Sequence, residues 1–226
     1  FKHTSLNMVQ IATQMNTSTV TGKPRPVPEL RDRQINHYGV KEAVFPFNMF
    51  PEVDPVLGPE MRSTGEVLGI SPSFGEAYYK AQEATRTKLP QEGTVLLSVC
   101  DRDKPELIEV AKAFNDLGFK ILATGKSFEM IKEAGIPAER IFKMYEGRPN
   151  IGDAIANGNI QLIINTPAGK DSVICDSYKT KPAIMHRIPY ITTMAAAKAS
   201  AEGIRAIKEN KHFGVKSLQA HHADII

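Results

Sequence analysis

The stretch IQLIINTPAGKD, residues 160–171, decides the reading. Its run from Ile160 to Ile164 is almost continuously apolar, as expected of a strand covered on both faces. The run stops in Asn165, Thr166, Pro167, Ala168 and Gly169, and a cation, Lys170, follows. Glycine lets backbone approach a ligand closely. In α/β proteins a strand that ends in such a turn commonly holds an anion. Asp171 then follows as a possible base, although a lone carboxylate beside a turn is more often a cap or a solvated charge.

Outward from this strand, the pattern alternates. TVLLSVC (94–100) reads as a buried strand. Pro105 suits a helix first turn, and Leu107, Val110, Ala111, Phe114 and Leu117 form one apolar face closed by Gly118. FKILAT (119–124) reads as a second strand. Ser127 is expected to cap a helix over 127–135. RIFKM (140–144) makes a third strand and IGDAIANG (151–158) a short helix. The opening stretch is the fourth strand, over 160–166. A helix containing AIMHRI (183–188), a strand in PYITT (189–193) and a helix over 194–210 complete the series. Strand–helix alternation at this spacing predicts an α/β fold: a five-stranded parallel sheet with helices on both faces.

The first 90 residues differ. Residues 17–36 are rich in Pro, Thr and charge and read as a loop or linker. AVFPFNMFPEVDPVLGPEM (43–61) is dense in proline and phenylalanine and follows no helical period. Its apolar residues need a surface to bury against, as in the tail of a domain whose body lies elsewhere. FGEAYYKAQEATRTK (74–88) reads as a helix presenting Phe74, Ala77, Tyr78, Ala81 and Ala84. The expected division is therefore 1–90 and 91–226.

The composition of the 226-residue chain is that of an ordinary globular protein, 42% hydrophobic and 23% charged, with a net charge of +3. That charge is too small and scattered to argue for nucleic acid. The two cysteines, Cys100 and Cys175, lack zinc-site or disulfide-framework spacing and fit a reducing cytoplasm. No apolar run reaches the length of a membrane span. The N-terminus has neither an initiator Met nor a signal-peptide core, and the expectation is a chain processed or excised from a longer one.

Ligands of open parallel sheets bind beyond the carboxyl ends of the strands. Ser98 and CDRDK, ending in Lys104, follow the first of these strands. Thr124, Gly125, Lys126 and Ser127 follow the second. Lys143 and EGRP (146–149) lie around the third, and NTPAGK (165–170) follows the fourth. Hydroxyls, backbone N–H groups, a helix start and cations meeting there describe a phosphate pocket. ATGKS is not a P-loop, because the upstream glycine of that motif is absent. The six histidines show no metal-binding spacing, no metal site is expected, and no catalytic nucleophile–base pair emerges.

FPFNMFPEVDPVLGPEMRSTGEVLGI (45–70), sharpest in LGPEMRSTGEV (57–67), resembles the end of the second ATP-grasp half of carbamoyl-phosphate synthase large chains. LLSV (96–99), EGRPNI (146–151) and IINTPAG (163–169) resemble the C-terminal allosteric domain of that family, of methylglyoxal synthase-like fold. The resemblance implies a partial ATP-grasp tail before a regulatory domain. It also implies an ATP-dependent, glutamine-hydrolysing ligase that uses bicarbonate, ammonia and two ATP. Its partners would be the catalytic body and a glutaminase small chain. ATP and magnesium or manganese would serve the full enzyme, with no cofactor and no catalytic residue in this stretch. UMP or IMP would bind as effector through Ser98, Lys104, Thr124, Ser127, Lys143, Asn165 and Thr166. Glu42 and Thr192 match positions that contact ornithine. Ser127 stands where the family has threonine, and Pro167 where it has a second one, which leaves the effector's identity open. Two alternatives remain: a methylglyoxal synthase acting on dihydroxyacetone phosphate with Asp171 as base, and a packing or assembly domain that binds nothing.

Overall fold

A computed structural model describes residues 35–45, 65–85, 88–167, 182–210 and 214–223. Residues 36–217 form one compact unit. A second unit contributes Ile35 and a short helix, Leu218–Ala223, to the described residues.

The parallel sheet has five strands: β3 (Thr94–Ser98), β4 (Lys120–Thr124), β5 (Glu139–Ile141), β6 (Leu162–Asn165) and β7 (Tyr190–Ile191). Their spatial order is β5-β4-β3-β6-β7, and every neighbouring pair is parallel. Both faces are covered, which explains the continuous apolar runs. Val95, Leu97, Leu162 and Ile164 point into one core, while Leu96 and Ile163, at the alternate positions, point into another.

Before the sheet, an antiparallel pair, β1 (Tyr38–Val44) and β2 (Gly65–Ser71), leads into α1 (Phe74–Ala84). Next to β3, residues Asp101–Glu106 form a 3-10 turn ahead of α2 (Leu107–Asp116). Further helices are α3 (Gly125–Glu133), α4 (Ile151–Ala156), α5 (Met194–Glu209) and α6 (Leu218–Ala223). The first core is roofed by α1, α2, α3 and α5 through Tyr79, Phe114, Ile131 and Ile204. The second is roofed by α4 through Ile151, Ala154 and Ile155, with Ala183 beside them. The expected α/β architecture is therefore present, and residues 182–185 are helical as anticipated.

Several local expectations need correction. Ser127 does not cap α3. The cap is Thr124, Gly125 opens the helix at φ +42, and Ser127 lies inside the first turn at 2% exposure. Glycine tolerates that left-handed angle without steric cost. Pro105 sits in the 3-10 turn rather than the first turn of α2. The buried face of α1 is Gly75, Ala77, Tyr79 and Ala81, whereas Ala84 is exposed. The cause is two-sided packing. The β1–β2 pair lies on one flank, and on another Gly75 meets the Glu202 backbone so closely that a methyl there would stand 2.8 Å from the carbonyl oxygen. Tyr78 and Ser200 join the same two helices through their hydroxyls, 3.2 Å apart.

Candidate anion site at the carboxyl edge

The chain runs outward from β3 to β4 and β5, then returns to β6 on the other side of β3. The strand order thus reverses between β3 and β6, the point at which open α/β sheets form a crevice beyond their carboxyl ends. Ser98 and Asn165 are paired in register there, and the Thr166 N–H donates to the Ser98 carbonyl at 3.1 Å.

The floor of this crevice is a network of small polar side chains. Ser98, Thr124, Ser127, Asn165 and Thr166 are all buried, between 2% and 7% exposed. The Thr124 hydroxyl donates to Ser98 Oγ at 3.3 Å. Ser127 Oγ accepts from the Val99 N–H and donates to the Val99 carbonyl, both at 3.4 Å. Thr166 Oγ1 accepts from the Cys100 N–H at 3.0 Å, and Asn165 Nδ2 donates to the Tyr190 hydroxyl at 2.7 Å. No described buried side-chain N or O lacks a hydrogen-bond partner. This satisfaction is what lets so many polar groups lie under a sheet edge.

Cations gather on the rim around one carboxylate. Lys104 Nζ forms an ion pair with Asp101 Oδ1, and Lys126 Nζ lies 3.9 Å from Asp101 Oδ2. Lys143, just beyond β5, also acts on Asp101 through space. The Lys104 side chain is 13% exposed, whereas those of Asp101 and Lys126 are 76% and 81% exposed. Lys104, then Lys126 and Lys143, hold the Asp101 carboxyl below the usual carboxylate range. Arg102 ion-pairs with Asp103 at 3.1 Å, and Cys100 Sγ donates to the same carboxylate at 3.3 Å. Arg102, followed by Cys100 and Thr166, lowers the Asp103 pKa.

Of the seven sequence-predicted effector residues, five are buried near the carboxyl edge, Lys104 lies in the adjoining 3-10 turn, and Lys143 follows β5. Beyond Lys143, the β5–α4 connection borders an open, shallow cleft of about 420 Å³ lined in part by Tyr145, Arg148, Asn150 and Asp153. Glu42 and Thr192 sit elsewhere. Glu42, on β1, accepts from Gln82 Nε2 at 3.1 Å, and burial pushes its pKa up. Thr192 is exposed at the end of β7. Lys170, Asp171, Gly169 and Cys175 lie outside the described residues, as does most of the 45–70 stretch. Sequence reasoning missed Asp101 and Tyr190. The three-residue spacing of Asp101 and Lys104 was the available signal for the first, since side chains so spaced on a helical turn can meet. Among the described residues there is no group of three or more metal-ligating side chains, and no helix is long and apolar enough to cross a membrane.

Residues 106–192 match the family described as MGS-like domain, which defines the class of the sheet domain. A methylglyoxal synthase from Elizabethkingia anophelis NUHP1 superposes with a TM-score of 0.43 at 21% identity, over 50% of this chain and 79% of that one. The curated relatives are closer in sequence. The carbamoyl phosphate synthase large chain, C-terminal section, of Aquifex aeolicus is 50% identical over 81% of this chain and 34% of its own length. Its counterpart in Methanopyrus kandleri is 51% identical over 75% of this chain and 32% of its own length. The carbamoyl phosphate synthase large chain of Acidobacterium capsulatum is 47% identical over 98% of this chain and 20% of its own length. The chain belongs to the carbamoyl phosphate synthase large-chain family and spans between a fifth and a third of the length of these relatives.

Proposed function

We propose that this chain is the regulatory portion of a carbamoyl-phosphate synthase large chain and that its carboxyl-edge crevice binds a nucleotide monophosphate, UMP or IMP. The observation that carries this reading is the placing of Lys104 and Lys126 against one carboxylate, beside buried hydroxyl side chains at the strand-order reversal. A phosphate monoester fits that combination: its charge meets the ammonium groups, and its oxygens accept from hydroxyls and from N–H groups at the start of α3. Lys143 carries the most weight, with Ser98, Lys104, Thr124, Ser127, Asn165 and Thr166 completing the site.

In this reading residues 1–90 are the remnant of an ATP-grasp domain and residues 91–226 the allosteric domain. The full enzyme joins bicarbonate and glutamine-derived ammonia using two ATP with magnesium or manganese, in the cytoplasm, beside a glutaminase small chain. The present residues alone would not make carbamoyl phosphate. Effector binding shifts the ATP sites by favouring one of two states of the whole enzyme. Glu42 and Thr192 would serve an ornithine-like effector.

Calorimetric titration of UMP, then IMP, into the chain tests the reading. Saturable binding that is lost in Lys143→Ala is expected. Absence of heat with both nucleotides, in this chain and in the full-length enzyme, overturns it.

A further inference from the structure

We infer that Asp101 is a tethered counter-anion, which occupies the lysine cluster until a phosphate-bearing ligand displaces it and so sets the affinity of the site. The inference rests on the nucleotide-monophosphate reading above.

The geometry is that of an anion already in place. One carboxylate oxygen pairs with Lys104, the other lies 3.9 Å from Lys126, and Lys143 adds its field. The two participants differ in how firmly they are held. The side chain of Lys104 is 13% exposed and that of Asp101 76%. The Lys104 side chain is therefore largely covered, whereas the Asp101 carboxylate can rotate into solvent without opening a core. The neighbouring Arg102–Asp103 pair is neutral as a unit and leaves the balance unchanged.

Charge makes the exchange favourable for one class of ligand. Lys104 and Lys126 against one aspartate leave a net charge of +2 − 1 = +1 while Asp101 stays, and the weaker field of Lys143 adds to it. A phosphate monoester carries about −1.5 to −2 at neutral pH. It can replace the single charge of Asp101 and still gain. Chloride brings no more charge than the carboxylate it would displace, and the carboxylate has the advantage of being attached. Asp101 therefore keeps small monovalent anions out of the empty site and weakens every phosphate ligand by the cost of its own displacement.

Titrations of UMP into the wild-type chain, Asp101→Asn and Lys143→Ala, each at low and high sodium chloride, test the idea. At low salt Asp101→Asn is expected to bind UMP roughly two- to fivefold tighter, the range set by exposed ion pairs. Its affinity should also fall more steeply with chloride, because chloride fills the site that Asp101 vacates. Wild-type binding with unchanged or weaker affinity in Asp101→Asn at both salt concentrations overturns this inference alone. Absence of binding in the wild type and in Asp101→Asn overturns the nucleotide reading along with it. Lys143→Ala binding as tightly as the wild type overturns the nucleotide reading as assigned and, with it, the inference that rests on it.

Discussion

Thr166 joins two loops with one hydroxyl. Its Oγ1 accepts from the Cys100 N–H at 3.0 Å in a place where the residue is 3% exposed. Thr166→Val keeps the shape and removes the acceptor, leaving that amide unsatisfied. The expected loss is about 1–3 kcal/mol, the usual penalty for such a group, read as a lower urea midpoint at unchanged slope. Glu42 offers a pH test. Burial raises its pKa above the ordinary 4.5, so the folded state holds its proton more tightly than the unfolded state does. Its contribution is then greatest below pH 4.5 and declines as pH rises through the raised value. Glu42→Gln should stabilise the fold at neutral pH and change little in acid, and melting curves across that range check the sign. At this scale the sequence was informative about position and poor about partners. Ser98, Thr124, Asn165 and Thr166 were legible because they follow strands, and strand ends share an edge. That Asn165 meets Tyr190 was not, because the pair spans 25 residues and depends on β7 docking beside β6.

Helix α4 shows what an element gains from its ends. Asn150 accepts from the Asp153 N–H at 3.2 Å, and Asp153 accepts from the Asn150 N–H at 3.0 Å, a reciprocal cap. Replacing Asn150 by Ala removes one half, with an expected cost of about 1 kcal/mol, measurable as a lower melting temperature. Helix α1 is limited differently. Gly75→Ala would drive a methyl against the Glu202 carbonyl, and overpacking of this kind costs about 1–3 kcal/mol. The same urea titration reads it; an unchanged midpoint would mean that α5 yields without resistance. Parallel strands and their helices were legible because a run buried on both faces leaves a continuous apolar signature. The β1–β2 pair was not. Its strands lie far apart in sequence, with Tyr38 opposite Ser71, and prolines fill the stretch between. The face of α1 was misread for a related reason: an apolar stripe marks one buried side, and this helix is flanked on more than one.

For the molecule as a whole, the main core does not stop at the proposed division. Tyr79 and Leu89, at 5% and 3% exposure, belong to the same cluster as Phe114 and Ile204. Losing a single large core side chain typically costs about 2–5 kcal/mol. A chain shortened to begin at Gln91 should therefore melt well below the 226-residue chain or aggregate when expressed. Equal melting temperatures would show that α1 adds nothing to the sheet domain. The contact between α1 and α5 at Gly75 also constrains what descendants of this sequence can become. A position without room for a methyl group accepts no larger residue unless the facing helix relocates in the same lineage. Substitutions that each segment could tolerate by itself are closed to both together. The stretch before the sheet and the last long helix after it must drift as one inherited unit, although more than a hundred residues of chain separate Gly75 from Glu202.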